Sequence, residues 1–558
     1  MTGPESTAAH ATEADPERGL RGIARDAAAA LAERNGGSLG AEPTLERPPQ
    51  EQFGDYSTNA AMLLAPVLRA SPRDIASQLA EELTARLGDR LERTEVAGPG
   101  FVNLHLADGW FRDALVAISE AGGAFGRARA GSRERVLVEF VSANPTGPLT
   151  AAGGRHAAYG DALARVLEAA GHEVAREYYV NDYGAQTARF AASIAARMTG
   201  DPVPEDGYSG DYVVELATDL KGAGHGSWDQ AALERAGVEA MVGRVRSTLE
   251  RFGAYFDAWV SERSLHERGS TTEALERLEQ AGHTYTSDGA LWLRSTAFGD
   301  DKDRVLRRSG GETTYFAADV AYHEDKLRRG YDRLVDVWGA DHHGYMARVG
   351  AALEALGADP DRLEIVIMQL VHIVTRGERA QMSKRRGEFV TLDELIDDIG
   401  VDAARFFMLQ RSHDTALDLD LDLAREQSND NPVYYVQYAH ARICSILRKA
   451  GSDRVQAAVA ADQRASEAVV EPGERRMIKR LAELPAEVSE AAERRSPHRL
   501  TAYTMALAAD FHGFYRDCQV VGAEGDGVQD ARLALCVATR DTIAGTLALL
   551  GVGAPEQM

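Results

Sequence analysis

The 558-residue sequence has little cysteine: Cys444, Cys518 and Cys536, all in the C-terminal third and too far apart for a Cys-x-x-Cys knuckle. That scarcity excludes a disulfide-stapled scaffold and predicts reduced, buried thiols. Basic charge is also short, with 62 Lys and Arg against 86 Asp and Glu and a formal charge of −24. Such a chain has no global attraction for a phosphate backbone, although a local basic groove can sit on an acidic body. Apolar runs are broken by charge before the roughly 20 residues that cross a bilayer. The acidic start MTGPESTAAHATEADPERG has no apolar leader core. These absences predict a cytoplasmic protein without a membrane segment. No internal period of roughly 20–50 residues is visible, which argues against a solenoid. No metal-ligand spacing, nucleophile elbow or Walker loop occurs, so neither a protein-held metal, a serine hydrolase nor a P-loop NTPase is expected.

What is present is globular in composition, 44% hydrophobic and 27% charged, and long enough for several domains. Residues 1–131 read as a small α+β domain. In SPRDIASQLAEELTARLG, Ser71 can cap a helix, Pro72 fits its first turn, Ile75, Leu79, Leu83 and Leu87 share a face, and Gly88 ends it. VAGPGFVNLHL alternates like a half-buried strand. Residues 132–420 read as a Rossmann-like core. RVLVEFVSA is a strand buried on both faces, NPTGPLTAAGG a turn-rich loop, and RHAAYGDALARVLEAAG a helix. RLVDVWGADHHGYMARVGAALEALG repeats that pattern, EIVIMQL is a third strand, and the polar stretch at about 200–299 reads as an insertion. Residues 421–558 read as an all-helical domain. The expected fold class is therefore multidomain α/β.

Two segments carry candidate chemistry. Gly153 and Gly154, in the loop and first turn after the first core strand, would let a phosphate approach a helix N-terminus, or simply make a tight βα turn. Met382, Ser383, Lys384, Arg385 and Arg386 form a compact basic loop that could neutralise a leaving pyrophosphate, or be a solvated turn.

VEFVSANPTGPL, YYVNDYGAQ, TYFAADVAYH, WGADHHGY, MSKRRGEFVTL, GVDAARFF and NDNPVYYVQYAHARI occur in the order found in bacterial arginyl-tRNA synthetases, class I enzymes, and the chain resembles that family over nearly its whole length. The resemblance implies an N-terminal domain at the tRNA elbow, a C-terminal domain at the anticodon side and a monomer. It implies L-arginine, tRNA(Arg) and ATP with Mg2+ as partners and substrates. Ser142, Asn144, Tyr315 and Asp319 would contact arginine, with Glu139 in the same pocket. ATP would meet Thr150, Gly153, Gly154, Asp341, His342, Met382 and Lys384, with Ser383 and Lys384 in catalytic roles. Tyr434, Tyr435 and Tyr438 would stack on tRNA bases, or pack a core. The chemistry fits, because a guanidinium presents five donors in a rigid fork that carboxylates match.

The sequence also departs from the family. The family's His-x-Gly-His signature is replaced by Thr150-Ala151-Ala152-Gly153, and His156, one turn on, belongs to the helix that follows. Two lost charge-assisted bonds at about 1.5–3 kcal/mol each correspond to a rate loss of roughly a hundred- to ten-thousandfold. Gln381 stands for a Lys, and Tyr183 and Ala185 stand where the family has Ala and Arg. Three readings follow: an arginine–tRNA ligase with weakened adenylation; a paralogue passing an arginyl group to another amine without efficient adenylation; or a non-catalytic tRNA-binding regulator. A basic face at Arg475, Arg476, Lys479 and Arg480 either meets phosphate or pairs with neighbouring acids.

Overall fold

The structure is a computed structural model that describes residues 15–127, 133–222, 229–379 and 390–558. The N-terminal part packs helices Pro16–Arg34, Ala60–Leu68 and Pro72–Leu87 on a four-stranded antiparallel sheet ordered Leu45–Glu46, Tyr56–Thr58, Phe101–Leu106, Leu91–Ala97. Ser71 and Gly88 bound the third of these helices, and its four leucine and isoleucine positions are buried. Strand Phe101–Leu106 departs from the expected alternation. Asn103 and His105 are covered as well, Asn103 by accepting from the Ser57 hydroxyl at 2.8 Å.

The centre is a five-stranded parallel sheet ordered Leu363–Met368, Arg333–Gly339, Arg135–Glu139, Glu173–Val180, Ala258–Ser261. The chain builds outward from Arg135–Glu139 to one edge, then returns and builds to the other. That reversal makes a switch point between Arg135–Glu139 and Arg333–Gly339, where an open α/β sheet has a crevice at its carboxyl end. The edge strand Ala258–Ser261 lies inside the stretch expected to be an insertion, so residues 200–299 are not one inserted block. Four residues without flanking turn signals carry too little periodicity to be told from helix. Before it, helices Asp211–Gly222 and Gln230–Arg251 pack on Ala185–Thr199 through Phe190, Ile194, Val213, Leu216 and Met241. After it, a three-stranded antiparallel sheet, Thr284–Ser287, Ala290–Leu293 and Arg304–Arg307, leads into helix Tyr315–Arg328, whose cap residue Thr314 donates its N–H to Leu306.

The C-terminal part is a bundle of helices that includes Pro432–Ala450, Pro472–Ala482, His498–Asp517 and Val528–Leu550. Charge interrupts helix Val528–Leu550 at Asp530, Arg532, Arg540 and Asp541, yet by length and composition it is long and apolar enough to cross a membrane. Eleven of its residues are buried within the protein. All three cysteines are free and buried. Much of the basic face on Pro472–Ala482 is spent on protein partners. Lys479 meets Asp55 at 2.8 Å and Arg475 meets Asp108 at 2.5 Å, both in the N-terminal part, while Arg480 meets Asp510 and Glu483.

One buried cation joins the layers. Arg405 donates to Asp161 Oδ2, to the Phe252 carbonyl at 3.1 Å and to the Leu550 carbonyl at 3.0 Å, with no exposed surface. Gly551, at φ 67°, leaves room for it, since a Cβ there would lie inside the guanidinium. Replacing Arg405 with Met strips two buried carbonyls of their donor, while Asp161 keeps Arg165 at 2.8 Å and Arg176 at 3.9 Å. The expected result is a loss of about 1–3 kcal/mol, seen as a lower denaturation midpoint by circular dichroism.

Candidate active site

Four of the five parallel strands deliver their following residues to one crevice. After Arg135–Glu139 the backbone turns sharply: the Ser142 N–H closes on the Phe140 carbonyl at 3.0 Å, with Val141 at φ 69° and Ser142 at φ 38°. Positive φ at a β-branched residue costs on the order of 1–3 kcal/mol, strain that marks a place where the chain is held for a purpose. The Ser142 hydroxyl donates to Glu139 Oε1 at 2.7 Å and accepts the Tyr179 N–H at 3.1 Å. Asn144, two residues on, is exposed. After Glu173–Val180 comes Asp182, which accepts from the Ser261 hydroxyl and the Arg263 N–H. The exposed Tyr183 stacks on His266 at 4.4 Å. After Ala258–Ser261 comes Glu262, and after Arg333–Gly339 come Asp341 and His342, both exposed and 3.6 Å apart.

Helix Tyr315–Arg328 lies across these strand ends. Its first residue, Tyr315, is exposed, and its hydroxyl would sit 3.1 Å from a Cβ on Gly184. One turn on, Asp319 Oδ2 accepts from the Tyr345 hydroxyl at 2.6 Å. Burial raises the Asp319 carboxyl above the usual range, against that hydrogen bond. Glu262 is 3% exposed; burial first, then the charge of Asp319, pushes its carboxyl up to about 7. The Tyr179 hydroxyl lies beside it without completing a hydrogen bond to any protein atom. Among the described residues neither carboxylate has a Lys or Arg partner. Glu262 meets only His266 at 3.8 Å, and burial lowers that imidazole below its ordinary value. Two desolvated carboxylates without a cation form a receptor for one.

Glu139 differs from this pair. Its second oxygen accepts from Lys326, which also donates to Asp336 Oδ1 at 2.8 Å; Lys326 has no exposed surface. Asp336 Oδ2 faces His323 Nε2 at 2.8 Å, and His323 Nδ1 faces the Asp319 carbonyl at 2.8 Å. Both imidazole nitrogens thus face oxygen atoms of the protein. Burial opposes the Asp336 charge, but Lys326 and His323 outweigh it and hold the carboxyl down. Glu139 is therefore committed to Lys326 and Ser142. It fixes the strained turn rather than facing the crevice as a free carboxylate.

At the phosphate end, the N-terminus of helix Ala151–Ala169 already makes contacts within the protein. Thr150 is its cap, with its hydroxyl accepting the Gly153 N–H at 3.4 Å, and the Ala151 N–H donates to the Val390 carbonyl at 3.1 Å. Gly154 is a packing glycine: a Cβ there would lie 2.7 Å from Leu392 and 3.1 Å from Met408. At Gly153 a Cβ would meet only Leu149, at 3.4 Å or more. Met382, Ser383 and Lys384 lie outside the described residues. The chain just after them does not: the Leu392 N–H donates to the Leu149 carbonyl at 2.8 Å, so this segment is stitched to the helix start. Among the described residues no three His, Cys, Asp or Glu side chains gather as metal ligands.

Three family models match along the chain: arginyl tRNA synthetase N terminal domain over residues 22–106, tRNA synthetases class I (R) catalytic domain over 117–203 and 242–439, and DALR anticodon binding domain over 436–558. The arginine–tRNA ligase of Desulfitobacterium hafniense is 44% identical over 548 residues, 95% of this chain and 97% of its own. That of Geobacillus thermodenitrificans is 46% identical over 529 residues, 93% and 94% of the two chains. The chain belongs to the arginyl-tRNA synthetase family. The solved Thermus thermophilus arginyl-tRNA synthetase superposes with a TM-score of 0.75 at 26% identity, covering 97% of this chain and 100% of that one.

The catalytic-domain match of this synthetase-family chain skips residues 204–241, which narrows the interruption to helix Asp211–Gly222 and the first half of Gln230–Arg251. At the start of its DALR domain, Tyr434, Tyr435 and Tyr438 line a cleft of about 630 Å³ with Arg442 and His512. Tyr434 and Tyr438 are parallel at 6.1 Å, and Arg442 lies over Tyr438 at 4.6 Å. The three tyrosines are thus half-buried walls of one aromatic cleft.

Sequence reading missed Glu262 and the Lys326–Asp336–His323 cluster. Cation binding requires ionised carboxylates, so arginine affinity should rise with pH and level off above the Glu262 value of about 7. Between pH 6 and 8 we expect a gain of about tenfold by calorimetry, with proton release on binding near pH 7. Glu262→Gln should flatten that profile. The sign for folding is opposite: a carboxyl raised in the folded state costs stability as pH climbs from the unfolded value toward 7. The same variant should therefore melt higher at pH 8.

Proposed function

We propose that this protein activates L-arginine with ATP and transfers it to tRNA(Arg), with the first step slowed by the altered helix N-terminus. The observation that carries the reading is the desolvated Asp319–Glu262 pair, without a cationic partner, at the carboxyl end of a parallel sheet in a member of this family. The guanidinium would lie between these carboxylates, with Tyr315 and Tyr345 at their sides. Ser142 and Asn144, on the strained turn, would meet the α-amino and carboxylate groups. The arginine carboxylate then attacks the α-phosphorus of ATP, forming arginyl-adenylate and expelling pyrophosphate. A terminal ribose hydroxyl of the tRNA attacks the activated carbonyl and AMP leaves. Mg2+ would arrive on the ATP phosphates, and Lys384, with Ser383 beside it, would meet the developing pyrophosphate charge. The tyrosine cleft, with Arg442 to meet phosphate, suits an unpaired tRNA base.

The helix start supports the slowing. Thr150 and Gly153 supply no imidazole, and two first-turn amides already have acceptors within the protein. The same observation favours a second reading, in which a ready-made arginyl group is passed to another amine with little adenylation. The test is arginine-dependent ATP–pyrophosphate exchange in the presence of tRNA. Measurable exchange is expected, rising about tenfold or more in the Thr150→His/Gly153→His variant. The Gly153 site has room, and losing the Thr150 cap costs about 1 kcal/mol. No exchange in either form contradicts ligase activity. ATP-independent appearance of arginyl amides by mass spectrometry supports the second reading. For the cleft, Tyr438→Ala should weaken tRNA binding about tenfold in a filter assay while leaving arginine affinity unchanged.

A further inference from the structure

The start of helix Ala151–Ala169 straddles the crevice. Arg155, 1% exposed, donates to the carbonyls of Gln369 at 2.8 Å and of Ser412 and Thr415 at 2.9 Å, which fixes the helix rotation. The next residue, His156, therefore reaches the neighbouring strand end, with Cε1 3.9 Å from where a Gly339 Cβ would be and the Val337 main chain as a polar neighbour. Gly339 is the last residue of the strand on the far side of the switch point, two residues before Asp341. Among the described residues no side chain hydrogen-bonds His156. Burial, with the Arg155 charge beside it, drives the imidazole down to about 4. At neutral pH the ring is uncharged, so one nitrogen donates and the other offers a free lone pair.

We infer that His156 is a nucleoside-recognition residue, accepting a hydrogen bond from a ribose hydroxyl or the adenine amino group of the bound nucleotide. It rests on the ATP-dependent reading above. His156 lies five residues, about 7.5 Å of helix rise, beyond Ala151, beside the strand end that borders the switch-point crevice where open α/β sheets bind their ligands. The helix start faces the phosphate end instead. His156 thus does not replace the missing signature imidazoles; it acts on a different part of the ligand.

The experiment is calorimetry on the full chain with Mg-ATP, AMP and L-arginine, comparing wild type, His156→Ala and His156→Asn. One lost hydrogen bond predicts that His156→Ala weakens ATP and AMP by the same factor, about five- to tenfold. His156→Asn, which keeps an acceptor, should stay within about threefold of wild type. L-arginine affinity should be unchanged in both, and pyrophosphate should compete with ATP equally well in all three. Unchanged nucleotide affinity in His156→Ala overturns the inference, as does a parallel loss of arginine affinity, which marks a packing role. A wild type that binds arginine but neither nucleotide overturns this assignment and the adenylation reading together. Normal wild-type binding with an indifferent variant overturns this assignment alone.

Discussion

Everything in the site follows from negative charge kept in a poorly solvated place. Glu262 ends up buried because its strand is the sheet edge nearest Tyr179 and helix Tyr315–Arg328, and Asp319 reaches the same space from that helix. Such a pair is costly while empty, and the fold compensates elsewhere. Lys326 and His323 hold Glu139 and Asp336 in a buried hydrogen-bonded cluster beside it. That cluster keeps the strained Val141–Ser142 turn and the Asp319 main chain in fixed relation. Among the described residues Asp319 and Glu262 thus remain without a Lys or Arg partner, whereas Glu139 is paired with Lys326.

The nucleotide side is built on the opposite logic. Where the pocket for the cation leaves groups unsatisfied, the helix start satisfies its own amides. Thr150 caps Gly153, Val390 takes Ala151, and Gly154 packs against Leu392 and Met408. Positive dipole and first-turn N–H groups remain a general attraction for phosphate, but no imidazole stands there to follow charge as it develops. Under the proposed function, this asymmetry would leave amino-acid recognition in place while slowing activation.

Much of this was legible in the sequence. The sheet strands Arg135–Glu139, Arg333–Gly339 and Leu363–Met368 are apolar runs that no exposed element could carry, and the ordered blocks pointed to the family before any coordinates. Asp319 and Tyr315 were identified because they sit in one such block. Glu262 was not, because AWVS is too short to declare itself a strand and an acidic residue after it looks like surface. Its importance lies in burial beside Asp319, a relation between positions far apart in the chain. The contacts of Glu139 and Gly154 are hidden for a similar reason: neither Lys326 nor Leu392 announces from the sequence which residue it will meet. The basic face on Pro472–Ala482 went the same way, into acids of the N-terminal part.

The central claim is that the paired carboxylates select a guanidinium. Calorimetric titration of the intact chain with L-arginine, L-lysine and L-citrulline tests it most directly. Citrulline keeps the shape of arginine and removes the charge, while lysine keeps the charge and removes the fork. The account predicts arginine binding at least about tenfold tighter than lysine and about a hundredfold tighter than citrulline. Equal affinity for arginine and citrulline would contradict it.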